Sequence, residues 1–301
     1  PCSHFGRTPP CALNLIKHEF KEVVIAMKDP NPIVAGSGIK LLEEAGIKVK
    51  IGLLEAEAKK LNKFYIANIL NKKPFITLKL ATSIDGKIQD QYGDSKWISS
   101  AKSRSDVQLS RALSMAILSS SQSIIMDDAR LSIREDEIKL NLSKNYTKFQ
   151  ESLSLKNEIK IILDKDSKLT GYEKIFSTKG DIYIVSLEEN ELIKKHSNVK
   201  FIKAKLTNGQ IDLNKLIDSI YKLGINSIFI ECGSILATSF LKENLVDELH
   251  IYQAPFFLGK LAKNMVGFDD IKISAKKEFI LNNVQTFCND IKVVYTLKNY
   301  M

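Results

Sequence analysis

Apolar residues recur along the chain in short runs that switch between strand-like and helix-like spacing. Val23–Met27 reads as a strand, Gly38–Ala45 as a helix stopped at Gly46, and Lys48–Gly52 as a second strand, together a βαβ pattern. The amphipathic stretch Leu53–Leu70 predicts one long helix that ends before the breaker Asn71-Lys72-Lys73-Pro74, where a first domain (1–73) gives way to a second (74–301). Beyond the breaker the pattern predicts a strand over Phe75–Ala81, a turn at Asp85-Gly86, a helix from about Lys102 to Leu118 and a strand over Ser123–Met126. Glu135–Asn157 is polar and weakly periodic, and reads as a surface insertion. Strands at Lys160–Leu163, Asp181–Ser186, Lys200–Ile202, Ser227–Glu231 and Glu248–Gln253 interleave with helices over Leu213–Leu223 and Ile235–Glu243, and Phe279–Asn282 and Ile291–Leu297 form the arms of a terminal hairpin. Such alternation implies an α/β class, with helices covering the faces of a sheet.

Composition narrows the class of partner. The 301 residues are 44% hydrophobic and 26% charged, enough for one large or two medium cores, and the formal charge is +9. That charge comes from lysines scattered along the whole length, whereas a nucleic-acid footprint would be clustered, so no nucleic acid is expected. The same field favours phosphorylated small molecules. Four sparse cysteines, Cys2, Cys11, Cys232 and Cys288, argue against a disulfide framework and for a reduced setting. No apolar run approaches the ~18 residues that cross a bilayer, and no signal-peptide pattern opens the chain, so the expectation is a cytoplasmic protein without a membrane partner. A homo-oligomer is left open. The chain opens on Pro1, inside a motif, which leads us to expect further residues upstream.

That motif, Pro1-Cys2-Ser3-His4-Phe5-Gly6-Arg7-Thr8-Pro9-Pro10-Cys11, holds two thiols, an imidazole, an arginine and three prolines just ahead of a helix start. Two thiolates suit zinc, but a tetrahedral site needs about four ligands and a catalytic one leaves a position to water. On spacing alone, two structural cysteines or a local site with His4 as third ligand remain open, although the closeness of His4 to Cys2 makes joint coordination awkward. The string resembles, nearly residue for residue, the zinc loop of the bifunctional riboflavin-biosynthesis deaminase/reductase family. Asp29-Pro30-Asn31-Pro32 and Gly36-Ser37-Gly38-Ile39 extend the likeness. The resemblance implies Cys2 and Cys11 as zinc ligands, with His4, Gly6 and Arg7 near a pyrimidine. Zinc deaminases draw a third ligand and a proton shuttle from a His-x-Glu segment upstream. This sequence has no such segment, so the first domain is expected to be the remainder of a cytidine-deaminase-like α/β domain that does not deaminate.

In the first part, Gly36-Ser37-Gly38 lacks the third glycine of a dinucleotide fingerprint. The second part carries several weak signals. In Ile228-Phe229-Ile230-Glu231-Cys232-Gly233-Ser234-Ile235-Leu236 a strand runs into small residues that open a helix, which is either an ordinary tight turn or a phosphate cradle. Leu78-Lys79-Leu80-Ala81-Thr82-Ser83-Ile84-Asp85-Gly86 places a lysine in an apolar strand, which should point it into a cleft. Trp97 is either core or a stacking surface, and Asp127-Asp128 are either solvated loop charges or a strand-end pair at a site.

Taken in order, these segments resemble the reductase domain of the same family, whose fold is that of dihydrofolate reductase. The resemblance implies NADPH as hydride donor and a phosphorylated pyrimidine, 5-amino-6-(5-phosphoribosylamino)uracil, as acceptor. By the same resemblance Ala81, Trp97, Ser123, Asp127, Gly233, Ser234, Ile235, Leu236, Ala237, Thr238 and Ser239 lie on the cofactor side. Ser95, Arg111, Leu131, Arg134 and Glu231 lie on the substrate side. Arginines suit a phosphate through forked, charge-assisted hydrogen bonds, and Glu231 suits hydroxyl or ring N–H donors. Asp127 or Lys79 is expected to manage the one proton that hydride transfer requires. Ala129 after the paired aspartates, Ser119-Ser120-Ser121-Gln122 and Cys232 depart from the family's usual residues. A reductase of another pteridine or pyrimidine and a non-catalytic nucleotide-binding module are the alternatives.

Overall fold

A computed structural model describes residues 1–6, 8–32, 34–138, 158–189, 191–269 and 271–297. The chain divides into two compact units, Pro1–Pro74 and Phe75–Met301.

The first unit comprises α1 (Cys11–Lys17), β1 (Glu22–Ile25), α2 (Ser37–Glu44), β2 (Lys48–Ile51), α3 (Glu55–Leu61) and α4 (Lys63–Asn71). β1 and β2 pair in parallel with Val23 opposite Val49, as a βαβ pattern requires. Ala12, Val34, Leu42 and Ile47 are buried here. The long helix expected over Leu53–Leu70 is instead two helices that break at Asn62. The Asn62 side-chain amide donates to the Ala58 carbonyl at 2.8 Å, offering the backbone a competing partner where the helix would continue.

The second unit contains β3 (Phe75–Thr82), β4 (Lys87–Gln89), α5 (Ala101–Leu113), β5 (Ala116–Ser120), α6 (Ser121–Asp127), α7 (Glu135–Ile138) and β6 (Ile159–Leu163). There follow β7 (Asp181–Ser186), α8 (Leu192–Lys195), β8 (Val199–Lys203), β9 (Leu206–Thr207), β10 (Gln210–Ile211), α9 (Leu213–Lys222), β11 (Ser227–Glu231) and α10 (Ser234–Lys242). The unit closes with β12 (Glu248–Gln253), β13 (Lys263–Asn264), β14 (Phe279–Phe287) and β15 (Asp290–Leu297). Nine strands form one sheet in the order β14-β15-β12-β3-β11-β5-β6-β7-β8. From β12 to β8 all neighbours are parallel, and β15 and β14 add an antiparallel hairpin. Its arms are longer than the expected 279–282 and 291–297.

Alternation along β3 explains the two faces. Ile76, Leu78 and Leu80 join Leu216, Ile217 and Ile220 of α9 and Phe240 of α10 in the main core. Lys79 and Ala81 point to the other face, where Val107 of α5 packs with Phe229 and Tyr252.

Two expectations are corrected. The helix predicted to reach Leu118 stops at Leu113, Ala116–Ser120 is a buried strand between β11 and β6, and Ser123–Met126 belongs to α6. A short apolar run has no period that separates strand from helix, and here pairing on both edges decides it. The Ser120 hydroxyl then accepts from the Ser123 N–H, capping α6. The insertion read over Glu135–Asn157 begins with helix α7, whose Ile138 is fully buried and whose Glu137 carbonyl accepts from Ser105 Oγ. Residues 139–157 lie outside the described residues. Among the described residues, no helix is long and apolar enough to cross a membrane.

Candidate active site

A cleft of about 1050 Å³ opens at the carboxyl ends of β3, β11, β5 and β6. Central parallel strands end there and their following helices begin there, the usual place for a ligand in such a sheet. Lys79 and Glu231 sit opposite one another in the β3–β11 register, with Nζ 3.9 Å from Oε2. Arg111, from the last turn of α5, donates from Nε to Glu231 Oε1 at 2.5 Å and from Nη1 to the Ser132 carbonyl at 2.8 Å. Burial raises the Glu231 carboxyl, but the charges of Arg111 and Lys79 outweigh it and hold it below the ordinary carboxylate value. Burial lowers the Lys79 ammonium and prevails over the attraction of Glu231. Burial, then the Glu231 charge, pushes the neighbouring Cys232 thiol up to about 12.

The cofactor-side residues come from separate elements. Gly233, Ser234, Ile235, Leu236 and Ser239 front the cleft at the start of α10, and Ser123 does so in the first turn of α6. A Cβ built on Gly233 meets no atom within 4 Å, so a ligand has room against the backbone there. Ala237 and Thr238 do not front the cleft. They turn into the core, and Thr238 Oγ1 donates to the Ser234 carbonyl at 2.6 Å and accepts from the Gly267 N–H at 2.8 Å. In a helix that covers a sheet, one side of each turn must face the sheet. Ala81 lines the cleft floor and Trp97, 66% exposed, stands at its mouth.

Ser95 donates to Asp127 Oδ1 at 3.1 Å, and both line the cleft. The two aspartates do not end a strand: Asp127 is the last residue of α6 and Asp128 its left-handed cap. Asp128 is taken up by Lys174, whose hydrogen bonds hold the carboxyl below its usual value. Leu131 is buried at the cleft wall with φ 50, and Arg134 pairs with Glu137 at 2.8 Å. Sequence reading passed over Arg104 and Gln108, which also line the cleft. Their signal was available, since Arg104, Gln108 and Arg111 follow i, i+4, i+7 on α5 and so share one face.

In the first unit, the Cys11 N–H donates to Cys2 Sγ at 3.3 Å, and this bond, followed by one from the Cys11 thiol, holds the Cys2 thiol below its ordinary value. Among the described residues no three His, Cys, Asp or Glu side chains are grouped to hold a metal.

The RibD C-terminal domain family matches residues 74–293. The chain belongs to the RibD family. RibD of Haemophilus influenzae is 38% identical over 99% of this chain and 78% of its own length, and RibD of Escherichia coli is 38% identical over 88% and 71%. Among solved structures, Acinetobacter baumannii RibD superposes with a TM-score of 0.84 at 33% identity, covering 99% of this chain and 79% of that one. A Thermotoga maritima diaminohydroxyphosphoribosylaminopyrimidine deaminase/5-amino-6-(5-phosphoribosylamino)uracil reductase superposes at 0.80 with 28% identity, covering 99% and 77%. The second unit therefore has the dihydrofolate-reductase-like fold of the RibD reductase domain, and this RibD-family chain is an oxidoreductase of riboflavin biosynthesis.

Proposed function

We propose that the second unit reduces 5-amino-6-(5-phosphoribosylamino)uracil to its ribitylamino form with NADPH. The observation that carries this reading is the Lys79–Glu231–Arg111 cluster, set in one cleft with the amino-terminal turns of α6 and α10.

The residues present fit the cofactor. The first turns of α6 and α10 offer backbone N–H groups to phosphates, the open space at Gly233 admits them, and Ile235, 79% exposed at the cleft, offers an apolar surface to a flat ring. Ser123, Gly233, Ser234, Ile235, Leu236 and Ser239 would hold it, with Ala81 and Trp97 lining the same cleft. When bound, NADPH supplies the hydride.

The chain's own residues have the remaining tasks. Glu231 is fixed by Arg111, so its carboxylate meets hydroxyl or N–H donors of the substrate without reorganising. Arg134 adds charge-assisted donors from the far wall. The reduction consumes one proton. Lys79, partly buried and held beside Glu231, suits that task better than Asp127, which is exposed and accepts from Ser95. Asp127 then orients Ser95.

Cys2 and Cys11 supply two thiolates of the soft, small-ion type that zinc takes, but two ligands do not make a catalytic site and no third stands among the described residues. The described residues therefore do not complete a zinc deaminase centre.

Turnover of the phosphoribosylaminouracil, followed by loss of NADPH absorbance with the ribityl product identified by mass, tests the reading. NADPH binding without any oxidation in the presence of that substrate overturns it.

A further inference from the structure

Lys160 of β6 is completely buried, and nothing in the reduction calls on it. A buried ammonium is costly unless it is paired. Its Nζ donates to Glu158 Oε2 and to the Lys179 carbonyl, each at 2.8 Å. The second oxygen of the same carboxylate, Oε1, accepts the Ile133 N–H at 3.3 Å. One carboxylate thus joins a buried charge to the backbone of the segment Leu131–Arg134 in the cleft wall. Glu158 is fixed at its other end as well. Its carbonyl accepts the Asp181 N–H at 2.9 Å, and Gly180 lies so close that an added Cβ would collide with that oxygen.

The segment needs such a fixture. Leu131 holds φ 50, a left-handed conformation that leucine rarely adopts and that its surroundings must impose. Among the described residues, Arg130 and Ser132 face the cleft and also, with Ile133 and Glu158, line a second cavity of about 310 Å³. With space on two sides, packing anchors only Leu131, which sits in an apolar cluster with Ile124 and Ile162. Three side chains hold the backbone. Gln108 Oε1 accepts the Arg134 N–H at 3.0 Å, Arg111 donates to the Ser132 carbonyl, and Glu158 accepts from Ile133. Gln108 and Arg111 both belong to α5, so Glu158 alone of the three sets the segment against β6. A buried ion pair adds little stability over apolar residues of its size, but its charge-assisted hydrogen bonds fix a geometry.

We propose that Glu158 is a positioning residue: locked by Lys160, its carboxylate sets the backbone at Ile133 and, through it, the side chains of Leu131 and Arg134 at the cleft. This rests on the reductase reading above.

The test uses the full chain and three variants, K160M, E158L/K160M and E158Q/K160M. Both double variants remove the two charges together, and they differ in whether an oxygen remains for the Ile133 N–H. E158L/K160M should raise KM for the phosphoribosylaminouracil about tenfold and leave KM for NADPH as it was. E158Q/K160M should recover most of that loss. Amide exchange at Ile133 should quicken in E158L/K160M more than in E158Q/K160M. Equal substrate KM values in the two double variants, or equal rises in KM for substrate and NADPH, overturn the proposal and leave the pair a purely structural one. Should E158L/K160M fail to fold, K160M decides: without its lock the Glu158 side chain turns away, and an Ile133 amide as protected as in the wild type overturns the assignment. A wild-type protein that leaves NADPH unoxidised removes the reductase reading, and amide exchange still decides whether Glu158 holds the segment.

Discussion

Lys79 and Glu231 are cross-strand neighbours in the two central strands of the sheet, and Arg111 closes on the same carboxylate from the helix above. Three charges thereby share one place at the cleft floor, where Arg111 and Lys79 hold the Glu231 carboxyl in its charged form against burial. Substituting E231Q leaves two cations without their anion. We expect a stability loss of about 3 kcal/mol, as for other broken buried pairs, and a fall of about tenfold or more in kcat/KM. Urea unfolding and steady-state kinetics check the two parts separately.

Lys79 gives a pH signature. Burial lowers its pKa, so it loses its proton below the 10.5 of an ordinary lysine. If the ammonium form carries the proton, kcat/KM falls as pH rises through that lowered value. K79R, whose guanidinium does not release its proton, and K79M should both be slow and lack this alkaline limb. A pH–rate profile of the three proteins decides it.

On the same face of the sheet, Asp106 of α5 accepts from Tyr252 Oη at 2.5 Å and from Lys292 Nζ at 2.6 Å. All three side chains are largely buried, and burial, then the Asp106 charge, raises the Tyr252 phenol well above 10. D106A strands Lys292 under α5 and should cost about 3–5 kcal/mol, whereas Y252F removes one hydrogen bond and should cost about 1–2 kcal/mol. Urea melts of the two variants measure the difference.

Acid sensitivity has identifiable sources in Asp85 and Asp212. Ser83 first, with the N–H groups of Gly259 and Leu258, brings Asp85 to about 2, and the Lys215 N–H, then its side chain, does the same for Asp212 at the start of α9. Both folded values lie below the ordinary 3.8, so the stabilisation is complete above that value and is lost as pH falls toward about 2. D85N and D212N should be less stable than wild type at neutral pH and show a shallower loss of stability between those limits. Urea midpoints across the acid range test the sign.

The sequence and the structure diverge where local pattern is degenerate. Ala116–Ser120 and Ser123–Met126 are both short and mostly apolar, and nothing in either says which one pairs with β11 and which one opens a helix. Asn62 divides a stretch whose amphipathic pattern runs straight through it. The start of α10 was legible, because a β-rich run ending in Cys232-Gly233-Ser234 leaves few other conformations. That Ala237 and Thr238 turn inward was not, since it follows from how α10 lies on the sheet. Arg104 was legible in principle from its spacing to Arg111, yet a lone arginine on a helix is usually solvated, and only its position over Trp97 sets it apart.

The chain by itself determined the strand and helix alternation, the breaker before Phe75, the paired cysteines of the loop that runs into α1, and family membership through an ordered set of motifs. These are properties of neighbouring residues, written in period and local chemistry. Tertiary structure decided which charges meet. Lys79, Arg111 and Glu231 are far apart along the chain, and only parallel pairing of β3 with β11 under α5 gives them one another as partners. It also set the Arg104 guanidinium of α5 over the Trp97 ring, because the loop before α5 folds back along the helix in a way that no local period records.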